Sequence, residues 1–358
     1  MTGVARASVW TSPKGSSSPR RRVRQKLSHR RLMQDLSAAA QPRRGRHDPL
    51  NAIVVPSARH AYHLEQALHL SAQAATLLVV LASRESRAAD VAALMASTPG
   101  CRGLVVEVPT EYEHPYFAHE TSTQPTFRDA NAERESDLSL KRNIGLILAR
   151  LLGWTKIMYL DDDIFDIRLD QVAKVSAQLD SHQVAGLVTR SFPDNSVVCH
   201  ANRLSGANQD NFITGAAMGV NCADQPLPFF PNVYNEDWFF FMGHAARGDL
   251  PCVGRARQLE YKPFQDPTRA AREEFGDLLA EGLYALIGSG DRLAAANKNY
   301  WNMFANGRQT LLDEISARLE KVGTNEAFMA MSSVQAAREQ ASKITSEQCS
   351  DFLEAWEQ

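Results

Sequence analysis

Three consecutive carboxylates, Asp161, Asp162 and Asp163, follow directly on the apolar run Lys156-Ile157-Met158-Tyr159-Leu160. Carboxylates this close repel one another, and burial raises their pKa values unless a cation neutralises them. Oxygen donors of this kind suit Mg2+ or Mn2+, and such an ion can bridge a carboxylate to a diphosphate. Spaced two apart, Asp161 and Asp163 fall on one side of the chain if strand geometry persists through them. They are therefore the candidate metal ligands. Apolar Leu160 and Ile164 bracket the acidic run, which argues against a plain solvated turn.

The elements around the run determine where it can sit. Ala52 to Pro56 reads as a buried strand, Leu64, Ala67, Leu68 and Ala72 repeat at helical spacing, and Thr76 to Ala82 is a second strand. A helix over Ala88–Ala96, a Pro99-Gly100 stop and a strand over Gly103–Val108 follow. This β-α-β-α-β order implies a parallel sheet with right-handed crossovers. The polar stretch Pro109–Asp137 is too long for an ordinary connection and is expected to be a mobile lid or an insertion. Leu140, Ile144, Ile147, Leu148, Leu151 and Leu152 then mark an amphipathic helix closed by Gly153, and Lys156–Leu160 is the strand that delivers the carboxylates. Ligands in open α/β sheets bind at the carboxyl ends of strands, which is where the acidic run lies. Further along, Val184–Thr189, Ser196–Cys199 and Thr214–Val220 read as strands, Trp238–Ala246 as a helix, and the chain from Thr268 onward as helical.

Composition narrows the function classes. Of 358 residues, 44% are hydrophobic, enough to bury a sizeable core. Residues 1–48 hold 12 Lys and Arg against two acids, while the remainder holds 27 against 39. An acidic body of this kind is not expected to bind nucleic acid, whose phosphates need concentrated positive charge. Residues 1–48 are expected to be a basic, disordered tail or an organellar transit peptide, 49–265 the α/β domain, and 266–358 a helical region. Five scattered cysteines without a CxxC pair argue against a disulfide framework and a thiolate zinc site, and point to a reducing, cytoplasmic compartment. No apolar run approaches the roughly 20 residues of a membrane span.

Leu140-Lys141-Arg142-Asn143-Ile144-Gly145-Leu146, then Ala149-Arg150, Gly153-Trp154 and Ile157-Met158-Tyr159-Leu160-Asp161-Asp162-Asp163, resemble the family 2 glycosyltransferases of the GT-A fold. In that family an Arg-Asn-x-Gly stretch, a helix and a strand lead into a metal-binding DxD. Val55-Pro56-Ser57-Ala58-Arg59 is similar to the Pro-Thr-x-x-Arg that opens the same fold and lines its nucleotide pocket. The resemblance spans roughly residues 51–265. It implies a GT-A-like, Rossmann-type, mostly parallel sheet flanked by helices, here with a C-terminal helical extension. The implied activity is transfer of a single sugar, of the hexosyltransferase type, from a nucleotide-diphosphate sugar to an acceptor hydroxyl, dependent on Mn2+ or Mg2+.

The resemblance also distributes roles. A carboxylate base is expected well after the DxD, and Asn235-Glu236-Asp237-Trp238 stands there. Asp237 would take the acceptor proton in an inverting transfer, with Glu236 orienting substrate. The competing reading makes Asn235, Glu236 and Asp237 a helix N-terminus. Pro56, Ser57, Arg59, Lys141, Arg142, Asn143, Asp161, Asp162 and Gly215 would contact the nucleotide-sugar, and Asp161 and Asp163 the metal. Two departures stand out. Leu81-Ala82-Ser83-Arg84 lacks the family's acid after the second strand, and no Gln-x-x-Arg-Trp motif of processive members occurs. His244 is a candidate extra metal ligand, although a structural histidine fits its context better.

Two other classes compete. Asp162-Asp163-Ile164-Phe165-Asp166 fits the DDxxD of isoprenoid synthases, which presents Mg2+ and diphosphate from a helix in an all-α fold. A GT-A-like binding protein without catalysis would keep the sheet and lose the metal.

Overall fold

The computed structural model describes residues 25, 28–39, 48–109, 112, 125–190, 192–193, 195–223 and 227–357. Among these, nine strands form one sheet: β1 (Gln34–Asp35), β2 (Ala52–Ser57), β3 (Leu77–Ala82), β4 (Gly103–Glu107), β5 (Lys156–Leu160), β6 (Ile164–Phe165), β7 (Val184–Arg190), β8 (Ile213–Asn221) and β9 (Pro251–Gln258). The order is β1-β9-β7-β8-β5-β2-β3-β4, with β6 paired to β9. Parallel pairing joins β5-β2-β3-β4, and β8 runs antiparallel between β5 and β7.

The strands β2, β3 and β5 read as continuous apolar runs because both faces of the sheet are covered. Ala52, Val54, Val79, Leu81, Ile157 and Tyr159 enter one core layer, with helices α4 (Leu138–Leu151), α7 (Glu236–Arg247) and α8 (Pro267–Ile287). Ile53, Val55, Leu78, Val80, Met158 and Leu160 enter the other, with α1 (Glu65–Ala74), α2 (Ala88–Ser97) and α5 (Leu169–Gln178). A third core joins α6 (Val197–Leu204) to α9 (Lys298–Val322) and α10 (Asn325–Ala341), and α11 (Ser346–Glu357) closes the chain. The mixed α/β architecture, with a mostly parallel sheet flanked by helices and a C-terminal helical region, agrees with the expectation. No described helix is long and apolar enough to cross a membrane.

Several expectations are corrected. Ser196–Cys199 is not a strand but the start of α6. Ser196 caps it, accepting from Cys199 N at 3.3 Å, and Glu273 accepts from Val197 N at 2.7 Å. The Val197-Val198 pair mimics a strand, but a cap and a buried carboxylate outweigh β-branching. Part of the basic N-terminal segment belongs to the fold. His29 is buried against Phe212, Trp238 and Tyr284 and bonds Glu281 at 3.0 Å, and β1 pairs with β9. On α4 the leucine stripe ends in the open, with Leu151 75% exposed, whereas Lys141, Arg142 and Asn143 are buried. The helix presses close to the sheet at Gly145, where a Cβ would lie 2.8 Å from the Tyr159 hydroxyl. Nearly half of the expected lid over 109–137 falls outside the described residues; its described end carries α3 (Pro125–Arg128) and a turn.

His244 faces Gln183 and Arg247, both at 2.9 Å. Burial, aided by Arg247, pulls its pKa down to about 4, and burial pulls His200 down to about 3. The unfolded chain therefore takes up protons first as pH falls below 6.5, and stability is lost on acidification through that window. Between pH 6.5 and about 5 the Tm is expected to fall, and to fall less steeply in His244→Gln. Identical slopes for the two proteins would remove His244 from the account.

Candidate active site

The acidic run leaves the sheet at once. Asp161 N still donates to Ala216 O on β8 at 2.9 Å, but Ile164 N donates back to Asp161 O at 3.1 Å and closes a turn. Strand geometry therefore ends at Leu160, and the three carboxylates diverge. Asp162 turns to the end of β2, where Oδ2 accepts from Ser57 Oγ at 3.0 Å, Ala58 N at 3.2 Å and Arg59 N at 3.3 Å. The Arg59 guanidinium pairs with Asp162 and reaches Asp163 Oδ2 at 3.0 Å, which Gln258 Nε2 also approaches at 3.3 Å. Asp161 is gripped by Arg142, whose Nη2 lies 3.1 Å from both carboxylate oxygens.

Arg142 is the centre of the arrangement. Its Nη1 pairs with Glu236, so one buried guanidinium joins the acidic run to the carboxylate pair on α7. Burial alone would depress its pKa, but Asp161, Glu236 and Asp237 overcome that and raise it. Its buried Nε finds no hydrogen-bond acceptor among the described residues. The guanidinium also lies over the Phe230 ring, 5.8 Å from the centroid, and Tyr159 OH fixes the Arg142 carbonyl at 2.6 Å.

Asp237 points back to the sheet. Oδ2 accepts from Gly215 N at 2.6 Å and Oδ1 from Trp238 N at 2.9 Å. Asn235, in the left-handed region at φ 63°, makes no side-chain cap and instead donates to Asp277 at 3.1 Å. Gly215 is required where it stands: a Cβ would meet Arg142 Nη1 and Asp237 Cβ, both at 2.7 Å. Gly215→Ala is expected to destabilise by about 1–3 kcal/mol, the usual range for overpacking, while displacing both side chains. Denaturant titration checks the first effect, and an unchanged midpoint would mean that the two side chains rearrange freely.

A cleft of about 520 Å³ opens over this network, lined among others by Arg59, Arg142, Asp161, Glu236, Asp237 and Trp238. Of the residues singled out in the sequence, Pro56, Ser57, Lys141, Asn143, Asp162, Asp163 and Gly215 stand behind that lining. Three of them make contacts that hold the frame. Lys141 donates to Ser57 O at 2.8 Å and Ser83 Oγ at 2.7 Å and pairs with Asp137 at 3.1 Å. Its burial pulls its pKa down against the pull of Asp137. Asn143 brackets the Phe230 backbone at 2.9 and 2.8 Å, and Pro56 lies within β2 opposite Leu81. Asp137 was missed: Ser83 donates to it at 2.5 Å, so the carboxylate absent from the end of β3 arrives from the start of α4. Its spacing of four before Lys141 was the available signal. The cleft-lining Arg84, Arg134, Arg269 and Arg272 were missed as well.

No group of three or more His, Cys, Asp or Glu side chains is poised as a metal cage among the described residues. The donors nevertheless fit a hard divalent ion of the Mg2+ type, which takes one or two carboxylates and completes its shell with water and substrate phosphates. Arg59, its side chain 47% exposed, already places a positive charge between Asp162 and Asp163.

These features define a mixed α/β protein with a cleft of mixed charge, crossed by Arg142, at the carboxyl ends of its central strands. No family model and no curated protein matches the chain. Among solved structures it is similar to the mannosyltransferase PcManGT from Pyrobaculum calidifontis in complex with GDP-Man and Mn2+. The two share 14% identity over 88% of this chain and 89% of that one, with a TM-score of 0.45.

Proposed function

We propose that the chain is a metal-dependent glycosyltransferase that moves one sugar from a nucleotide-diphosphate sugar to an acceptor hydroxyl with inversion. The observation that carries this reading is the Arg142 bridge. It brings Asp161 of the acidic run and Glu236 of the Glu-Asp pair, distant in sequence, into the wall of one cleft.

The reaction that fits this arrangement is a single displacement. The acceptor O–H gives its proton to Asp237, its oxygen bonds to the anomeric carbon, and the bond from that carbon to the diphosphate oxygen breaks. The nucleoside diphosphate leaves with the electron pair. Backbone N–H groups of Gly215 and Trp238 fix the orientation of Asp237, so the base needs no reorganisation. Glu236, its charge matched by Arg142, is placed to orient the substrate. Asp161 and Asp163 are the residues that would hold Mn2+ or Mg2+, which when bound supplies charge neutralisation on the leaving diphosphate.

The isoprenoid synthase reading fails on geometry. Residues 162–166 form a turn and the two-residue β6, with Asp166 at φ 59°, not a helix, and the fold is mixed α/β. Calorimetry with uridine and guanosine diphosphates, each with and without Mn2+, tests the proposal. Metal-dependent binding of one of them is expected, and heat from neither would overturn it.

A further inference from the structure

The sugar-transfer reading leaves the part of the cleft built by α8 and the turn over 129–134 without a task. Its charge is of the opposite kind to the acidic run. Arg134, half-buried, makes no ion pair among the described residues, where its side chain makes one hydrogen bond, to Asn232 Oδ1 at 3.3 Å. Burial dominates its surroundings and pulls its pKa below the ordinary arginine value, although Glu236 and Glu273 push the other way. Arg269 lies over the Tyr261 ring at 4.1 Å and gives only its Nε to Glu273, at 2.7 Å. Its two terminal nitrogens make no hydrogen bond among the described residues, and both arginines line the cleft.

The backbone is shaped to present Arg134. Ala132 and Glu133 are both left-handed, at φ 48° and 51°, a conformation that costs energy in any residue but glycine. The turn is clamped from α10, where Gln340 Nε2 donates to Asp129 O at 2.7 Å and Ala130 O at 2.8 Å. Left-handed residues in a held turn, just before a guanidinium without an ion pair among the described residues, are of the kind that cluster at binding sites.

Resting on the transferase reading, we infer that the acceptor carries a phosphate, seated on Arg134 and Arg269, with its hydroxyl directed at Asp237. Two guanidinium forks match phosphate oxygens bidentately, which one ammonium cannot do. Arg59 and Arg142 are already committed to Asp161, Asp162, Asp163 and Glu236, so they do not duplicate this role. Arg134 and Arg269 line the same cleft as Glu236 and Asp237, so a phosphate seated on them shares that cleft with the proton acceptor.

Calorimetry on the full chain with glycerol 3-phosphate, with and without saturating nucleoside diphosphate and Mn2+, tests the inference. Glycerol 3-phosphate is expected to bind and glycerol not to bind. Arg134→Gln and Arg269→Gln are each expected to weaken the complex roughly ten- to hundred-fold, with Arg134→Lys losing less. Thermal unfolding of each variant separates lost contact from lost fold. Vesicles of phosphatidic acid distinguish a lipid-borne phosphate from a free one, and Arg134-dependent binding of either supports the inference. No binding to the wild type, or equal binding to a folded Arg134→Gln, overturns it. Displacement of glycerol 3-phosphate by nucleoside diphosphate also overturns it, because the arginines would then belong to the donor. If neither nucleotide binds while Arg134-dependent phosphate binding persists, the anion site stands and the transferase reading falls.

Discussion

Replacing Asp237 with Asn is expected to lower transfer by about 10²–10⁴, the usual loss for a general base, with nucleotide affinity little changed. The structure makes the accompanying stability cost explicit. Each Asp237 oxygen accepts one backbone N–H, from Gly215 at 2.6 Å and from Trp238 at 2.9 Å. An amide has one acceptor oxygen, so its NH2 must face one of these donors and leave it unsatisfied, a loss of about 1–3 kcal/mol. A merely structural Asp237 would show that destabilisation with near-normal turnover in the folded fraction. A catalytic Asp237 loses turnover far beyond any change in folded fraction. Glu236→Gln discriminates further, because the Arg142 guanidinium pairs directly with Glu236, whereas Asp237 is held by the backbone N–H groups of Gly215 and Trp238. If Glu236→Gln is inactive and Asp237→Asn is active, the base is Glu236. If both are active, the single-displacement mechanism is lost.

How much of this was legible depends on whether a signal is local. Strands β2, β3 and β5 are apolar on both faces, and helices α1 and α2 carry plain periodicity, so the parallel half of the sheet could be read directly. Strand β9 could not: Gly254, Arg255 and Arg257 interrupt it, because only alternate positions near its end are buried. The carboxylates could be found, since Asp161–Asp163 and Glu236-Asp237 are short runs. Their partners could not be found from spacing. The expectation that Arg142 contacts the nucleotide-sugar follows from its own helix alone. Its actual partners, Asp161 and Glu236, come from two further elements that only the folded sheet brings to it. Arg134 and Arg269 escaped for a similar reason. The helices after residue 265 read as an appendage, whereas α8 is buried along most of its length in the main core and lines the cleft.

Arg142→Met is expected to cost about 3–5 kcal/mol of stability, the range for removing one partner of a buried ion pair. Arg142 is 2% exposed and Glu236 4%, so water cannot replace the lost guanidinium at Glu236. Asp161, its side chain 19% exposed, is partly solvated and contributes less. The excess over the packing change therefore comes from Glu236, and a cycle with Glu236→Gln can isolate it. In the Arg142→Met background, Glu236→Gln removes the stranded charge and should restore part of the stability. In the wild-type background the same substitution removes a favourable pair and should destabilise. Opposite signs in the two backgrounds are the signature of a coupled pair. Activity should not return with stability in the double variant, because Arg142 also fixes Asp161, and neither methionine nor glutamine replaces that contact. Arg142→Lys tests the bridge itself: one ammonium keeps the charge but cannot span Asp161 and Glu236 as a planar fork does. A midpoint for Arg142→Met within about 0.5 kcal/mol of wild type, the range of ordinary surface substitutions, would mean that the two carboxylates are neutralised by other means.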